Sequence, residues 1–163
     1  MEKAIAVLGA TGSVGTQALD VARARGYRVD YLTADRSVSD MERLAREFMP
    51  RTVNMTDASA AESLGLLLAD TDIKVTSGRE GLLSGIAETR AEVVVNSILG
   101  GAGLLPTLAT IDAGKRLALA NKESLVMAGD EVMSRAASRG VEILPVDSEH
   151  SAIFQSLKSG RQS

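Results

Sequence analysis

Ala4-Ile5-Ala6-Val7-Leu8-Gly9-Ala10-Thr11-Gly12-Ser13-Val14-Gly15 joins a short apolar run to a glycine-rich turn that opens a helical pattern. Strand, glycine turn and helix in that order form the first unit of a doubly wound, dinucleotide-binding sheet. Each glycine has its own task. Gly9 lets the chain leave the strand through a turn that a Cβ obstructs. Gly12 admits a pyrophosphate close to the backbone, and Gly15 brings the new helix onto the sheet. N–H groups at the helix start and the positive end of its dipole then face the phosphates, with Thr11 and Ser13 as added hydroxyl donors. The spacing is G-x-x-G-x-x-G rather than the commoner G-x-G-x-x-G, so the signal rests on its position between strand and helix.

Outward from this unit, apolar runs alternate with helical patterns. Strands are expected at 4–8, 28–33, 53–55, 73–76, 92–99, 117–120 and 141–146, with helices between them. The first helix, 13–25, carries Val14, Ala18, Val21 and Ala22 on one face, and Gly26 closes it. Ser39-Asp40-Met41-Glu42 has capping-box spacing, and Met41, Leu44, Ala45 and Phe48 form the stripe of a helix that Pro50 stops. Asp57 caps the next helix. Gly100–Gly103 makes a second glycine-rich turn, and a last helix is expected at 149–158. The pattern predicts an α/β fold: a doubly wound parallel sheet of about seven strands with helices on both faces, Rossmann-like. The dinucleotide-binding domain is expected to span residues 1–150.

Composition narrows the function. The 163 residues suffice for one domain with a core, 45% of them hydrophobic and 24% charged. The net charge of −3 and 2% aromatic content argue against a nucleic-acid surface, which needs a basic footprint and stacking platforms. The absence of cysteine removes disulfides, thiolate nucleophiles and Cys-ligated metals. No apolar run reaches bilayer length, so no membrane partner is expected. The first strand begins at once without a signal-peptide pattern, which makes a cytoplasmic location the expectation.

Ligands of doubly wound sheets bind beyond the carboxyl ends of the strands, and polar clusters fall at those ends. They are the first glycine turn, Asp35-Arg36-Ser37, Asn96-Ser97, Asn121-Lys122-Glu123-Ser124 and Asp147-Ser148-Glu149-His150. A carboxylate about 20 residues past the glycines accepts the ribose 2′-hydroxyl of NAD, while an arginine there suits the 2′-phosphate of NADP. Asp35 and Arg36 supply both residue types side by side, and a solvated loop ion pair accounts for Asp35 equally well. Arg36, Ser37 and Ser39 together suit an anion. In an extended segment the i, i+2 spacing of Asp147 and Glu149 puts both carboxylates on one side, where they can share a hard divalent cation with at least one further ligand or the substrate. Helix capping by Asp147 or Ser148 fits the same spacing. Lys122, directly after the sixth strand, suits polarising a substrate oxygen or pairing with phosphate, and an ordinary surface lysine fits the same position. His150, the only histidine, is read as structural rather than as a base or a metal ligand.

Four stretches, LGATGSVGTQALDV, GLLPTLATIDAGK, LANKESLVMAG and LPVDSEHSAIFQSL, resemble the 1-deoxy-D-xylulose 5-phosphate reductoisomerase family from the first strand to Leu157. The family's proteins are much longer than this chain. The resemblance implies NADPH as cofactor, held by Gly9, Thr11, Gly12, Ser13, Val14 and Gly15 at the pyrophosphate. It implies Arg36 and Ser37 at the adenosine end, with Asn121 and Glu123 as further NADPH contacts. It implies Lys122, Ser148 and Glu149 as catalytic residues toward a phosphorylated ketose, and Asp147 and Glu149 as ligands of Mg²⁺ or Mn²⁺. The reaction so implied turns 1-deoxy-D-xylulose 5-phosphate into 2-C-methyl-D-erythritol 4-phosphate, an isomerisation followed by hydride transfer, on the way to isoprenoid precursors. Asp35 stands where the family is expected to carry glycine. By the same resemblance, 151–163 begins a catalytic domain, the family's third metal carboxylate, phosphate pocket and lid lie further on, and the full-length parent is a homodimer. The 163 residues alone are expected to be inactive. An alternative is a free-standing NAD(P)-binding or redox-sensing module without catalysis.

Overall fold

The computed structural model of the chain describes residues 3–120 and 122–146, with Lys122 described in its backbone alone. The expected alternation is present. It runs β1 (Ala4–Leu8), α1 (Ser13–Arg25), β2 (Arg28–Ala34), α2 (Val38–Phe48), β3 (Thr52–Met55), α3 (Ala58–Leu67) and β4 (Lys74–Ser77). It continues through α4 (Gly78–Glu88), β5 (Val93–Asn96), a 3-10 turn at Gly100–Gly103, α5 (Leu104–Asp112), β6 (Arg116–Leu119), α6 (Lys122–Arg139) and β7 (Ile143–Pro145). The last expected helix lies outside the described residues.

The strands form one parallel sheet in the order β4-β3-β2-β1-β5-β6-β7. The chain winds from β1 toward one edge, returns through α4 to the middle, and winds toward the other edge. The order reverses between β1 and β5, so a crevice opens beyond their carboxyl ends. Period-two alternation sends Ile5, Val7, Leu32 and Val53 to the face covered by α1, α2 and α3. Ala6, Leu8, Tyr31 and Val94 go to the opposite face, under α4 and α5. A third cluster, around Leu117 and Val132, seats α5 and α6 on β6.

Two features hold α4 down. Gly85 lies so close to the sheet that a Cβ there would overlap the ring of Tyr31, whose hydroxyl donates to the carbonyls of Gly81 (3.2 Å) and Leu82 (3.1 Å). Asn54, fully buried on β3, accepts from Thr76 Oγ1 at 2.7 Å and donates to the Gly78 carbonyl at 3.2 Å. At the amino edge of the sheet, Asp30 is 1% exposed and accepts from Thr89 Oγ1 (2.6 Å) and the Arg90 N–H (2.9 Å). Arg28 and Arg51 approach the same carboxylate at 3.0 and 3.5 Å. Burial alone would raise its pKa. The hydrogen bonds from Thr89 and Arg90 and the charges of Arg51 and Arg28 outweigh burial and hold it below the ordinary value.

Some boundaries differ from expectation for local reasons. α2 starts at Val38, with Ser37 at the N-cap and without a side-chain cap, so Ser39 sits inside the helix and the capping box does not form. The Glu42 carboxylate instead meets Arg46 at 3.2 Å. Asp57 does cap α3, accepting from the Ala60 N–H at 2.9 Å. β5 stops at Asn96, short of Leu99, because its carboxamide turns the chain. Oδ1 takes the Ile98 N–H (3.2 Å), and Nδ2 reaches the Gly103 carbonyl and Thr107 Oγ1 (3.1 and 3.0 Å). Leu99 is left exposed on the turn. α6 is kinked at Ala128, whose φ of −146° and ψ of 40° are not helical.

Candidate functional site

The glycine turn sits at the reversal point of the sheet, and both neighbouring strands fasten it. On the β2 side the Gly9 N–H donates to Thr33 Oγ1 (3.1 Å) and the Ala10 N–H to the Thr33 carbonyl (2.8 Å). On the β5 side Ser97 Oγ donates to the carbonyls of Leu8 (2.7 Å) and Gly9 (3.1 Å). Thr33 was not legible as a site residue. Its only signal is a hydroxyl near the carboxyl end of an otherwise apolar strand.

Each glycine meets a different environment. Gly9 has φ +76°, and a Cβ on it would lie 2.8 Å from Ser97 Oγ. Gly15 is buried, and a Cβ there would overlap the Gly9 carbonyl oxygen and lie 2.9 Å from Ala10 Cα. Gly12 has φ −82° and ψ 178°, which other residues adopt readily, and among the described residues a Cβ would meet only the Gly9 carbonyl oxygen at an ordinary 3.6 Å. The protein itself therefore demands glycine at positions 9 and 15 but not at 12, where the space is open.

Gly12 is the N-cap of α1. No side chain caps this end, and no acidic residue lies in its first turn. The first N–H groups of the helix and its positive dipole end are thus directed at the open space over Gly12. Gly12 and Ser13 are exposed and Thr11 is half-buried at the mouth of the turn. Val14 packs against the core below it.

Beyond β2, Arg36 is largely exposed, with its Nε 3.6 Å from Asp35 Oδ2 and 3.9 Å from Asp57 Oδ1. Thr56 Oγ1 donates to Asp35 Oδ1 at 2.6 Å. Ser37 is exposed at the N-cap of α2. Beyond β5 and β6, the Ala120 N–H donates to the Asn96 carbonyl at 3.0 Å, so α6 begins beside the second glycine turn with Glu123 exposed in its first turn. Asn121 and the Lys122 side chain lie outside the described residues. The Val146 N–H donates to the Leu119 carbonyl at 3.0 Å, which ends the described chain at this same edge. Asp147, Ser148, Glu149 and His150 follow it and also lie outside the described residues. Among the described residues no cluster of His, Asp and Glu is able to hold a metal ion, and no helix is long and apolar enough to cross a membrane.

The turn, the uncapped helix and the basic residue after β2 together suit a dinucleotide. Residues 5–129 match the family described as 1-deoxy-D-xylulose 5-phosphate reductoisomerase. A protein of that name from Agathobacter rectalis is 50% identical over 96% of this chain and 41% of its own length. Another, from Symbiobacterium thermophilum, is 50% identical over 96% of this chain and 42% of its own length. The Zymomonas mobilis reductoisomerase in complex with NADPH superposes with a TM-score of 0.87 at 39% identity, over 95% of this chain and 41% of that one. A reductoisomerase structure with NADPH, fosmidomycin and magnesium gives 0.86 at 43% identity, over 94% of this chain and 38% of that one. The chain thus spans about two fifths of the length of these relatives.

Proposed function

The chain belongs to the 1-deoxy-D-xylulose 5-phosphate reductoisomerase family, and from that premise we propose that it is the NADPH-binding part of such an enzyme. The observation that carries the proposal is the glycine turn at the reversal of the sheet, with open space at Gly12 in front of an uncapped helix end. That environment fits a pyrophosphate, which supplies the missing acceptors for the first N–H groups of α1. In this proposal Gly9, Thr11, Gly12, Ser13, Val14 and Gly15 shape the pyrophosphate site. Arg36 and Ser37 hold the adenosine end, and Asn121 and Glu123 hold the cofactor nearer its reactive end. NADPH, when bound, supplies hydride.

The same proposal gives Lys122 and Ser148 to the phosphorylated ketose, with Glu149 completing the catalytic set. Lys122 would orient a substrate oxygen as a point charge. Asp147 and Glu149 would hold Mg²⁺ or Mn²⁺, a Lewis acid and template for substrate oxygens, with further ligands from outside this segment. Residues 1–150 form the dinucleotide domain and 151–163 open the catalytic one. The parent works as a cytoplasmic homodimer that converts 1-deoxy-D-xylulose 5-phosphate to 2-C-methyl-D-erythritol 4-phosphate. The two-fifths coverage supports a second reading for the 163 residues alone, as a dinucleotide-binding module without catalysis.

Turnover tests the proposal. NADPH oxidation at 340 nm with ketose phosphate and Mn²⁺ should be absent for the 163 residues and robust for a full-length parent. Asp147→Asn in the parent should remove most activity without unfolding it. Robust turnover by the 163 residues, or a fully active Asp147→Asn parent, would overturn the assignment.

A further inference from the structure

The adenosine end of the site carries charges of both signs in contact, and their arrangement bears on which dinucleotide enters. Resting on the dinucleotide reading above, we propose that Asp35, oriented by Thr56, makes this a site for NADH as well as NADPH. The ribose diol of NADH meets the carboxylate, and the 2′-phosphate of NADPH meets Arg36.

Asp35 stands 20 positions past Gly15 (35 − 15), directly after β2, where this fold meets the adenosine ribose. It is not a floppy loop residue. Its carbonyl accepts the Asp57 N–H at 3.2 Å, and the neighbouring Ala34 carbonyl accepts the Thr56 N–H at 3.0 Å, so the β2–β3 ladder runs on past both strands. Thr56 Oγ1 then holds Asp35 Oδ1 at 2.6 Å. The side chain is nonetheless 70% exposed. A carboxylate fixed through one oxygen, with lone pairs to spare on both, is an acceptor for ribose hydroxyls.

The same arrangement weakens the claim of Arg36 on a phosphate. Its Nε lies within 4 Å of two carboxylates, those of Asp35 and Asp57. Neither is free to withdraw: Asp35 is tied to Thr56, and Asp57 caps α3 through Ala60. One guanidinium between two carboxylates leaves a local charge of −1 where a 2′-phosphate brings nearly two more negative charges. Arg36 still offers its fork to that phosphate, while the carboxylates repel it and leave the uncharged ribose of NADH unpenalised. Attraction and repulsion act on the same group, so the discrimination between the two dinucleotides is compressed.

Titration calorimetry of the 163-residue chain with NADPH and NADH tests this. Wild type should bind both, with NADPH ahead by no more than about tenfold, the equivalent of roughly 1.4 kcal/mol. Asp35→Gly should weaken NADH and strengthen NADPH, widening the ratio to about a hundredfold or beyond. Thr56→Val should weaken NADH selectively, and Arg36→Ala should weaken NADPH selectively. A wild-type preference for NADPH above about a hundredfold, unmoved by Asp35→Gly, would overturn this inference and leave the dinucleotide site standing. Binding of neither dinucleotide would overturn both.

Discussion

Alanine at Gly12 and at Gly15 should separate what the glycine turn does for the fold from what it does for a ligand. At Gly15 the added Cβ would overlap the Gly9 carbonyl oxygen and press on Ala10 at 2.9–3.0 Å. These are backbone atoms that no rotamer change moves aside, so α1 must lift from the turn. Overpacking of this kind costs about 1–3 kcal/mol, or roughly 3–10 °C in Tm for a chain of this size. At Gly12 the backbone is already extended, and the Cβ makes one ordinary contact at 3.6 Å. Gly12→Ala should leave stability unchanged or raise it by up to about 1 kcal/mol through the unfolded state. In the proposed pyrophosphate site the same Cβ stands where a phosphate approaches. Losing one charge-assisted hydrogen bond of about 1.5–3 kcal/mol lowers NADPH affinity by at least about tenfold, and the bulkier Gly12→Val should abolish binding. Thermal melts and NADPH titration on both variants supply the readout. Full NADPH affinity in a well-folded Gly12→Val protein would refute the ligand argument, and a wild-type Tm for Gly15→Ala would refute the packing argument.

Asp30→Asn should destabilise the chain by about 2–3 kcal/mol at neutral pH, because charged hydrogen bonds to a buried carboxylate are lost, measured as a shift in the urea midpoint. The folded pKa of Asp30 lies below its ordinary value of 3.8, so its contribution is complete above about pH 4 and is lost as pH falls through the folded pKa. Wild type should therefore lose stability more steeply than Asp30→Asn in that acid window, and parallel profiles would count against the assigned role. Gly85→Ala should cost more than Tyr31→Phe, because the added Cβ displaces the whole ring and not only its hydroxyl. Equal urea midpoints for the two variants would show that α4 has slack over β2.

How much of this was legible depended on whether the determinant was local. β1 and α1 begin and end where an apolar run, a glycine turn and a left-handed Gly26 require, and all of those signals lie within one stretch. The ending of β5 was not legible, because it depends on a carboxamide that reaches residues 7 and 11 positions ahead. The support of the glycine turn by Thr33 and Ser97 joins residues 24 and 88–89 apart, a relation that periodicity does not carry. Thr56 was invisible as a partner of Asp35 for the same reason, since only the β2–β3 pairing puts them together. The displaced capping box shows the opposite error. Its local spacing at Ser39 was correct, but the chain had already entered α2 at Val38.

The order of the strands has a bearing on how the molecule assembles. Every neighbouring pair in the sheet joins successive strands except β1 and β5. The segment from β1 to β4 and the segment from β5 to β7 are each built from near-neighbour pairings, while their junction brings together residues as far apart as Leu8 and Ser97, 89 positions. Closing a loop of that length carries the largest entropy penalty in the sheet, and it falls on the seam between the two halves. That seam is also the floor of the crevice beyond Gly9, and Ser97 is its fastening. A half-formed chain thus presents no crevice, and a dinucleotide that occupies it selects molecules in which both halves have already joined.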